Sequence, residues 1–200
     1  MRWAGDFVHD AVEYWPEWVW EAGDQIDAEA INQFRGPNLE RAEPTGDEQT
    51  EAQDERRGRL ITMMRWRLEP DQALVLEFDH SDAFWMLTSE AIFGNSMDYL
   101  YRPVSYTPSR TAVDSDGRIR LVLTAEDPGY ANWIDNQGYT EGVLNFRNIH
   151  ARTVPELRTT VVERADLAAH LPPDSKRCTP EERTAAMWAR FDAIRRRAKV

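Results

Sequence analysis

The chain has 200 residues, of which 30% are charged, with a formal net charge of -11 and one cysteine. This length fits one domain with an appendage or two small domains, and a single cysteine excludes an internal disulfide or a multi-cysteine metal site. The acidic balance argues against nucleic acid as a partner, because phosphate binding rests on clustered Lys and Arg. No apolar run approaches the roughly 18 residues of a membrane span, and no signal-peptide order opens the chain, so we expect a soluble cytoplasmic protein without a membrane partner.

The N-terminal segment, residues 1–36, is predicted to be helical and is rich in aromatic residues. Pro16 divides it into two helices, over about 3–14 and 16–34, because the residue before a proline is biased out of the α region. The chain starts within this helical material, which suggests the C-terminal part of a longer ancestral protein. The residues that follow, 37–58, are polar and charged and predict a linker.

From residue 59 the hydrophobic period changes to two, which is typical of strands. Strands are predicted over 59–68, 73–79, 83–92, 99–106, 110–113, 118–124, 142–149 and 157–163. The fourth and fifth of these are the weakest, because Pro103 and Pro108 confine them to edges or bulges. Tight turns and the lack of βαβ spacing favour a mainly β fold, an antiparallel β-sandwich of the jelly-roll type over residues 59–165.

The polar loop after strand 118–124 is the most specific part of the sequence. Pro128 and Gly129 end the strand, since proline has no N–H to donate and glycine tolerates positive φ. Short polar side chains that can bond their own backbone follow, with Trp133 among them. The loop 126–141 is therefore either a well-packed Ω-like surface loop or a ligand-binding loop with Trp133 as its platform.

The C-terminal extension, residues 166–200, is predicted to be helical. Thr179 is the predicted N-cap and Pro180 the first helical residue, and Met187, Phe191 and Ile194 form an apolar stripe that should dock on another surface. Residues 176–200 hold eight Lys/Arg against three Asp/Glu, which leaves sixteen against thirty-two in the first 175. A basic tail beside an acidic body indicates contact within the protein or between subunits, with a phosphate-binding arm as the alternative.

Amphipathic rings interleaved with planar polar groups are typical of sites for a sugar or an aromatic ligand. The candidate ligand-binding residues are Asn95, Asp98, Tyr99, Asn132, Trp133, Asp135 and Arg147. Arg147 would clamp a carboxylate, or else pair with Asp98 or Asp135. If the protein is an enzyme, Asp98, Asp135 or Glu141 would be its acid or base. The four histidines are dispersed without metal-ligand spacing, so no metal and no cofactor is predicted.

Several short pieces of the sequence are similar to one family. They are Leu68 to Val75, Phe84 to Leu87, Asn95 to Tyr99, Asp116-Gly117, Asp127 to Gly129, Asn132-Trp133 and Gly142 to Arg147. In these pieces the chain resembles the uncharacterised domain-of-unknown-function family 1214, in an actinobacterial-type version, over about residues 60–165. The resemblance implies a β-sandwich of jelly-roll type and brings no catalytic residues, so it bears on fold rather than function.

Three functions remain open from the sequence. The first is a domain that binds a small polar or aromatic ligand through the 94–106 and 126–141 loops. The second is a hydrolase or lyase that uses the loop carboxylates. The third is a structural module in which the terminal helices contact a second copy or a partner domain. An enzyme should show a buried carboxylate of raised pKa in a cleft, a binder an aromatic-lined pocket, and an assembly module large apolar patches on its helices.

Overall fold

The computed structural model describes His9 and residues 31–34, 59–81, 83–149 and 155–198. The predicted N-terminal helices and the linker 37–58 lie outside the described residues, apart from His9 and 31–34. Residues 31–34 are not helical: Ile31 and Asn32 form a turn in which Asn32 has a φ of 65°. The prediction of a helix up to residue 34 is therefore wrong at that end.

The described residues form eight strands, one α-helix and two 3-10 helices. The strands are β1 (Arg59–Arg67), β2 (Gln72–Asp79), β3 (Phe84–Glu90), β4 (Ser105–Tyr106), β5 (Arg118–Thr124), β6 (Trp133–Asp135), β7 (Glu141–Ile149) and β8 (Arg158–Glu163). The α-helix, α1, spans Pro180–Ala198, and the 3-10 helices span Pro108–Arg110 and Arg164–Ala169.

The strands form two four-stranded sheets, with the orders β1-β7-β3-β4 and β6-β5-β2-β8. Neighbouring strands are antiparallel except β5 and β6, which are parallel. The prediction of a mainly β protein with a C-terminal helix is confirmed. Chain neighbours β1, β2 and β3 alternate between the two sheets, so the connections cross from one sheet to the other.

The core lies between the two sheets and follows from the period-two pattern of the strands. One cluster of buried side chains draws on both sheets, with Met64, Trp66, Trp85, Leu87, Leu144 and Phe146 from the first and Leu74, Leu76, Phe78, Ile119, Leu121 and Leu123 from the second. Within it the Phe78 ring meets the rings of Trp85 and Phe146 edge-on, at centroid distances of 5.1 and 5.4 Å. Burial of apolar side chains such as these is the dominant favourable term in folding, and large rings bury the most area per residue.

Two of the predicted strands are corrected by the structure. The predicted strand 99–106 is reduced to the two residues of β4, and 110–113 is not a strand, since Pro108 begins a 3-10 helix instead. Both changes have the same physical cause, because the prolines at 103 and 108 cannot donate to a ladder. Conversely, the polar loop contains a strand that was not predicted, β6, which pairs with β5.

The outer face of the second sheet carries a set of ion pairs around Arg120. Its guanidinium lies 2.7 Å from the carboxylate oxygens of Glu77, Asp114 and Asp116. Two of these partners lie in the turn that precedes β5 and the third in β2, so the arginine ties the turn to the neighbouring strand. Hydrogen bonding by Arg120 lowers the pKa of Asp116 to about 2.

The substitution Asp116→Asn should therefore destabilise the protein in a pH-dependent way. The folded-state pKa lies below the usual value of 3.8, so the carboxylate stabilises the fold above that pH, and this stability is lost as the pH falls from about 4 towards about 2. Thermal unfolding of both proteins across this range should show a gap in Tm at neutral pH that narrows as the solution is acidified. A gap independent of pH would contradict the assigned role.

Candidate functional site

Asp98 and Asp135, both predicted site residues, each take part in contacts that hold the two loops together. The Asp98 carboxylate accepts hydrogen bonds from the amides of Leu100 and Tyr101, at 3.1 and 3.2 Å. Asp135 is 1% exposed and pairs with Arg102 at 2.8 Å. The side chain of Gln137 bonds the backbone of Asp98 at both its amide and its carbonyl. Both carboxylates are thus engaged in turns and ion pairs.

Asn132 and Trp133 also bond the backbone. The Asn132 side chain donates to the carbonyls of Ala112 and Arg120 and accepts from the Ala112 amide, at 2.8 to 2.9 Å. The Trp133 indole N–H donates to the Thr124 carbonyl at 2.9 Å, and the ring is buried. All the polar atoms of these two side chains are satisfied by backbone groups, which fixes the path of the chain into β6.

The remaining predicted residues are dispersed. Glu141 pairs with Arg65 and Arg67 at 2.8 and 3.1 Å, and the hydrogen bond from Arg65 lowers its pKa. Arg147 is exposed in the middle of β7, between Ile61 and Met86 in the ladder, and it is Arg102 that pairs with Asp135. Asn95 and Tyr99 are exposed in the turn after β3.

A shallow depression of about 300 Å³ marks the place where the two predicted loops meet. It is lined by Asp98, Arg102, Gln137, Gly138 and Tyr139. Gln137 has a φ of 57° and Gly138 one of 79°, so the loop turns sharply beneath the depression. The walls are the same polar side chains that hold the loops together, and they leave little apolar surface for a ligand.

A larger cavity lies on the other side of the 126–141 loop, between helix α1 and the β-sandwich. We call it the α1 groove. Its wall on the sandwich side is formed by Pro103, Tyr106, Thr107, Arg110 and Ala131, and its floor by residues 176–178. The floor is tied to the polar loop by two backbone hydrogen bonds, from the Cys178 amide to the Gly129 carbonyl (3.0 Å) and from the Ala131 amide to the Lys176 carbonyl (2.8 Å). The groove has a volume of about 840 Å³, within the range of small-molecule sites.

Local sequence chemistry positions α1 as predicted. The Thr179 hydroxyl accepts from the Glu182 amide at 3.2 Å, and the Glu182 carboxylate accepts from the Thr179 amide at 2.8 Å, a capping box. Phe191, from the predicted apolar stripe, stacks on Tyr101 at a centroid distance of 5.5 Å. Among the described residues, no helix is long and apolar enough to cross a bilayer.

Arg183 joins α1 to the polar loop. Its guanidinium lies 2.9 and 3.0 Å from the two carboxylate oxygens of Asp127 and donates to the carbonyls of Tyr130 and Ala131 at 2.6 and 3.0 Å. It also lies 5.2 Å from the Trp133 ring centroid. The charge of Arg183 is thus neutralised at one end of the groove.

The α1 groove is strongly cationic although the protein is acidic. Its basic side chains are Arg110, Lys176, Arg177, Arg183, Arg190 and Arg197, against one acid, Glu182. Arg177 lies over the Tyr130 ring at 3.8 Å. Within the described part of the chain, Arg183 alone among the six forms a salt bridge. The positive charge of the groove therefore stays largely uncompensated.

Arg190 is the most unusual member of this set. Its Nη2 donates to the Ser105 hydroxyl at 3.1 Å, while Nε and Nη1 are buried and have no hydrogen-bond partner in the described part of the chain. Burial lowers the pKa of Arg190, and the positive charge of Arg110 lowers it further. A half-buried guanidinium without a carboxylate carries a desolvation cost, and an unsatisfied group of this kind calls for an explanation such as a bound ion.

Tyr106 forms part of the apolar wall opposite. Its ring is buried, and its hydroxyl donates to the Trp133 carbonyl. Burial raises the pKa of Tyr106 to about 12, so the phenol stays neutral. Met187 and Ile194 from α1 complete the apolar surface. The groove therefore combines cationic and apolar walls.

Metal binding finds no support in the described ranges, where no group of three or more His, Cys, Asp or Glu side chains is placed to hold an ion. Cys178 lies in the floor of the groove as a free thiol.

Comparison with known proteins gives independent support for the fold. A crystal structure of an uncharacterised protein from Burkholderia cenocepacia matches 69% of this chain with a TM-score of 0.58 and 24% identity, and a protein from Vibrio parahaemolyticus matches 50% with a TM-score of 0.37 and 13% identity. This chain covers 37% and 30% of those proteins. No family model and no curated protein matches the chain. The first match supports a shared fold.

Proposed function

We propose that this protein binds a small organic anion in the α1 groove. The observation that carries the proposal is Arg190, whose buried Nε and Nη1 have no hydrogen-bond partner among the described residues and which lines a cavity that is already positively charged. An unpaired, partly desolvated cation costs stability, and an anion in the groove would offset that cost. Binding of a small ligand was the leading prediction from the sequence, and the proposal keeps that function while moving its place.

The enzyme alternative draws less support. Its three candidate carboxylates serve other roles: Asp98 caps a turn, Asp135 pairs with Arg102, and Glu141 pairs with two arginines that hold its pKa low. A general acid needs a raised pKa and access to a substrate. The assembly alternative stays a prediction, with Trp188, 62% exposed on α1, as its most exposed apolar side chain in the described ranges.

The test is isothermal titration calorimetry with benzoate. We expect the Arg190→Gln variant to bind benzoate about 10-fold more weakly than the natural protein, because the variant lacks the central positive charge of the groove. The matched control is Arg196→Gln. It makes the same change on α1, but at a side chain that is 78% exposed and lies outside the groove. Binding that both variants weaken equally, or no binding by the natural protein, would overturn the proposal.

A stability measurement on a second variant makes the test independent of any ligand. Arg190→Met keeps most of the side-chain volume and removes the unpaired charge, so we expect it to raise the free energy of unfolding by about 1 kcal/mol. Urea denaturation of the natural and variant proteins measures this difference. Loss of stability in Arg190→Met would mean that the guanidinium supports the fold.

The finer description of the fold is also a proposal. We infer a jelly-roll-derived topology, because β7 lies between β1 and β3 while β2 and β5 pair in the other sheet. The family resemblance of the sequence and a cytoplasmic location stay predictions. An experimental structure of the whole chain tests the topology.

A further inference from the structure

We propose that the anion bound in the α1 groove is an amphipathic monocarboxylate, with one charged head at Arg190 and Arg110 and an apolar body along Met187 and Tyr106. This inference rests on the proposed function and specifies its ligand. It follows from how charged and apolar side chains are ordered along the helix.

The groove follows one face of α1. Arg183, Arg190 and Arg197 recur at seven-residue spacing, with Met187 and Ile194 between them. A seven-residue separation corresponds to about 10 Å along the helix axis. Along α1 the groove therefore alternates three cations with two apolar side chains, and its section from Arg183 to Arg190 presents a cation, an apolar part and a second cation in turn.

One of these cations is closed to a ligand. Arg183 is 12% exposed, and it is held by Asp127 and two backbone carbonyls. Arg190 has no carboxylate partner within the described residues, and Arg110, which lines the same groove, is close enough for its positive charge to lower the pKa of Arg190. An anionic group near Arg183 would meet a cation that is already neutralised, so the charged head belongs at Arg190 and Arg110 and the body extends towards Arg183.

The space between Arg190 and Arg183 is apolar. Met187 and Ala186 line it from α1, and Pro103, Tyr106 and Ala131 from the sandwich. Tyr106 uses its hydroxyl on the Trp133 carbonyl and stays neutral, so it offers mainly its ring. A fully hydrated ion such as inorganic phosphate would leave these walls unused, whereas a hydrocarbon body would cover them.

Four probes distinguish this inference from the proposed function: octanoate, butanoate, inorganic phosphate and octan-1-ol, each titrated calorimetrically into the full chain. We expect octanoate to bind about 10-fold or more tightly than butanoate, because it has four further methylene groups to bury. Phosphate and octan-1-ol, which lack the body and the charge respectively, should both bind more weakly than octanoate.

The variant Met187→Ser tests the apolar section directly, at a half-buried side chain whose loss the fold should tolerate. It should weaken octanoate binding more than butanoate binding and so reduce the advantage of octanoate, because octanoate has the longer body to bury. Equal binding of octanoate, butanoate and phosphate would overturn the monocarboxylate while preserving an anion site. Equal binding of octan-1-ol and octanoate, or no binding of any anion, would overturn the proposed function as well.

Discussion

The substitution Gly142→Ala is expected to lower the free energy of unfolding by about 3 kcal/mol. Gly142 lies opposite Trp66 in the β1–β7 ladder. A Cβ atom at position 142 would lie 2.6 Å from the carbonyl oxygen of Glu90 and 2.7 Å from Cζ2 of Trp66. Both contacts are far shorter than van der Waals distance, and neither group can move freely, since the first is backbone and the second is fully buried.

Chemical denaturation by urea measures the effect, with Gly117→Ala as the comparison. Gly117 has a φ of 80°, and a Cβ atom at position 117 would meet no atom of the described residues within 4 Å. Alanine there therefore meets only the cost of left-handed backbone, about 1 kcal/mol. A larger loss at 142 than at 117 is expected. Equal losses would show that the sheet relaxes around the new methyl group.

Local chemistry made much of the fold predictable. The strand predicted over 118–124 has those bounds in the structure, because its alternating apolar residues face a core on one side. Helix α1 begins at Pro180 as predicted. Its start could be read from the sequence because the capping residues, Thr179 and Glu182, are only three residues apart. β6 was missed, since it has three residues, all buried, and pairs in parallel with a strand about ten residues earlier.

The site was less predictable, because several polar side chains that could bind a ligand, judged from the sequence, instead form hydrogen bonds or ion pairs within the protein. Asn132 and Asp135 have the composition of ligand contacts, and both are nearly buried and fully engaged in the loop. The α1 groove joins segments separated by about 70 residues, and no local pattern shows that they meet. The one signal in the sequence was the excess of positive charge after residue 175. This excess predicts a contact surface within the protein or between subunits. Among the groove cations, Arg183 alone forms a salt bridge of this kind with another described residue.

Removal of the Arg183–Asp127 ion pair is the second substitution for which a large loss of stability is expected. Arg183→Ala is expected to lower the free energy of unfolding by about 2–3 kcal/mol, because Asp127 and the carbonyls of Tyr130 and Ala131 all lose a charged donor. The loss of stability should be concentrated in α1, because this helix has no fully buried side chain in the described structure. Amide hydrogen exchange should therefore show α1 losing protection before the sheets do.

Arg196→Ala is the control, since it removes the same side chain from α1 at a site where the nearest partner is Asp192 at 3.7 Å. A change within about 0.5 kcal/mol is expected for this surface substitution. Unchanged exchange of α1 in Arg183→Ala would mean that Phe191 and Tyr101 suffice to dock the helix. Selective loss of amide protection in α1 would instead show that the Arg183–Asp127 pair holds α1 against the sandwich. The groove would then depend on this pair, because one wall of the groove is α1 itself. Anion binding should then weaken in Arg183→Ala although Arg190 is intact, and raising the anion concentration should restore the protection of the helix.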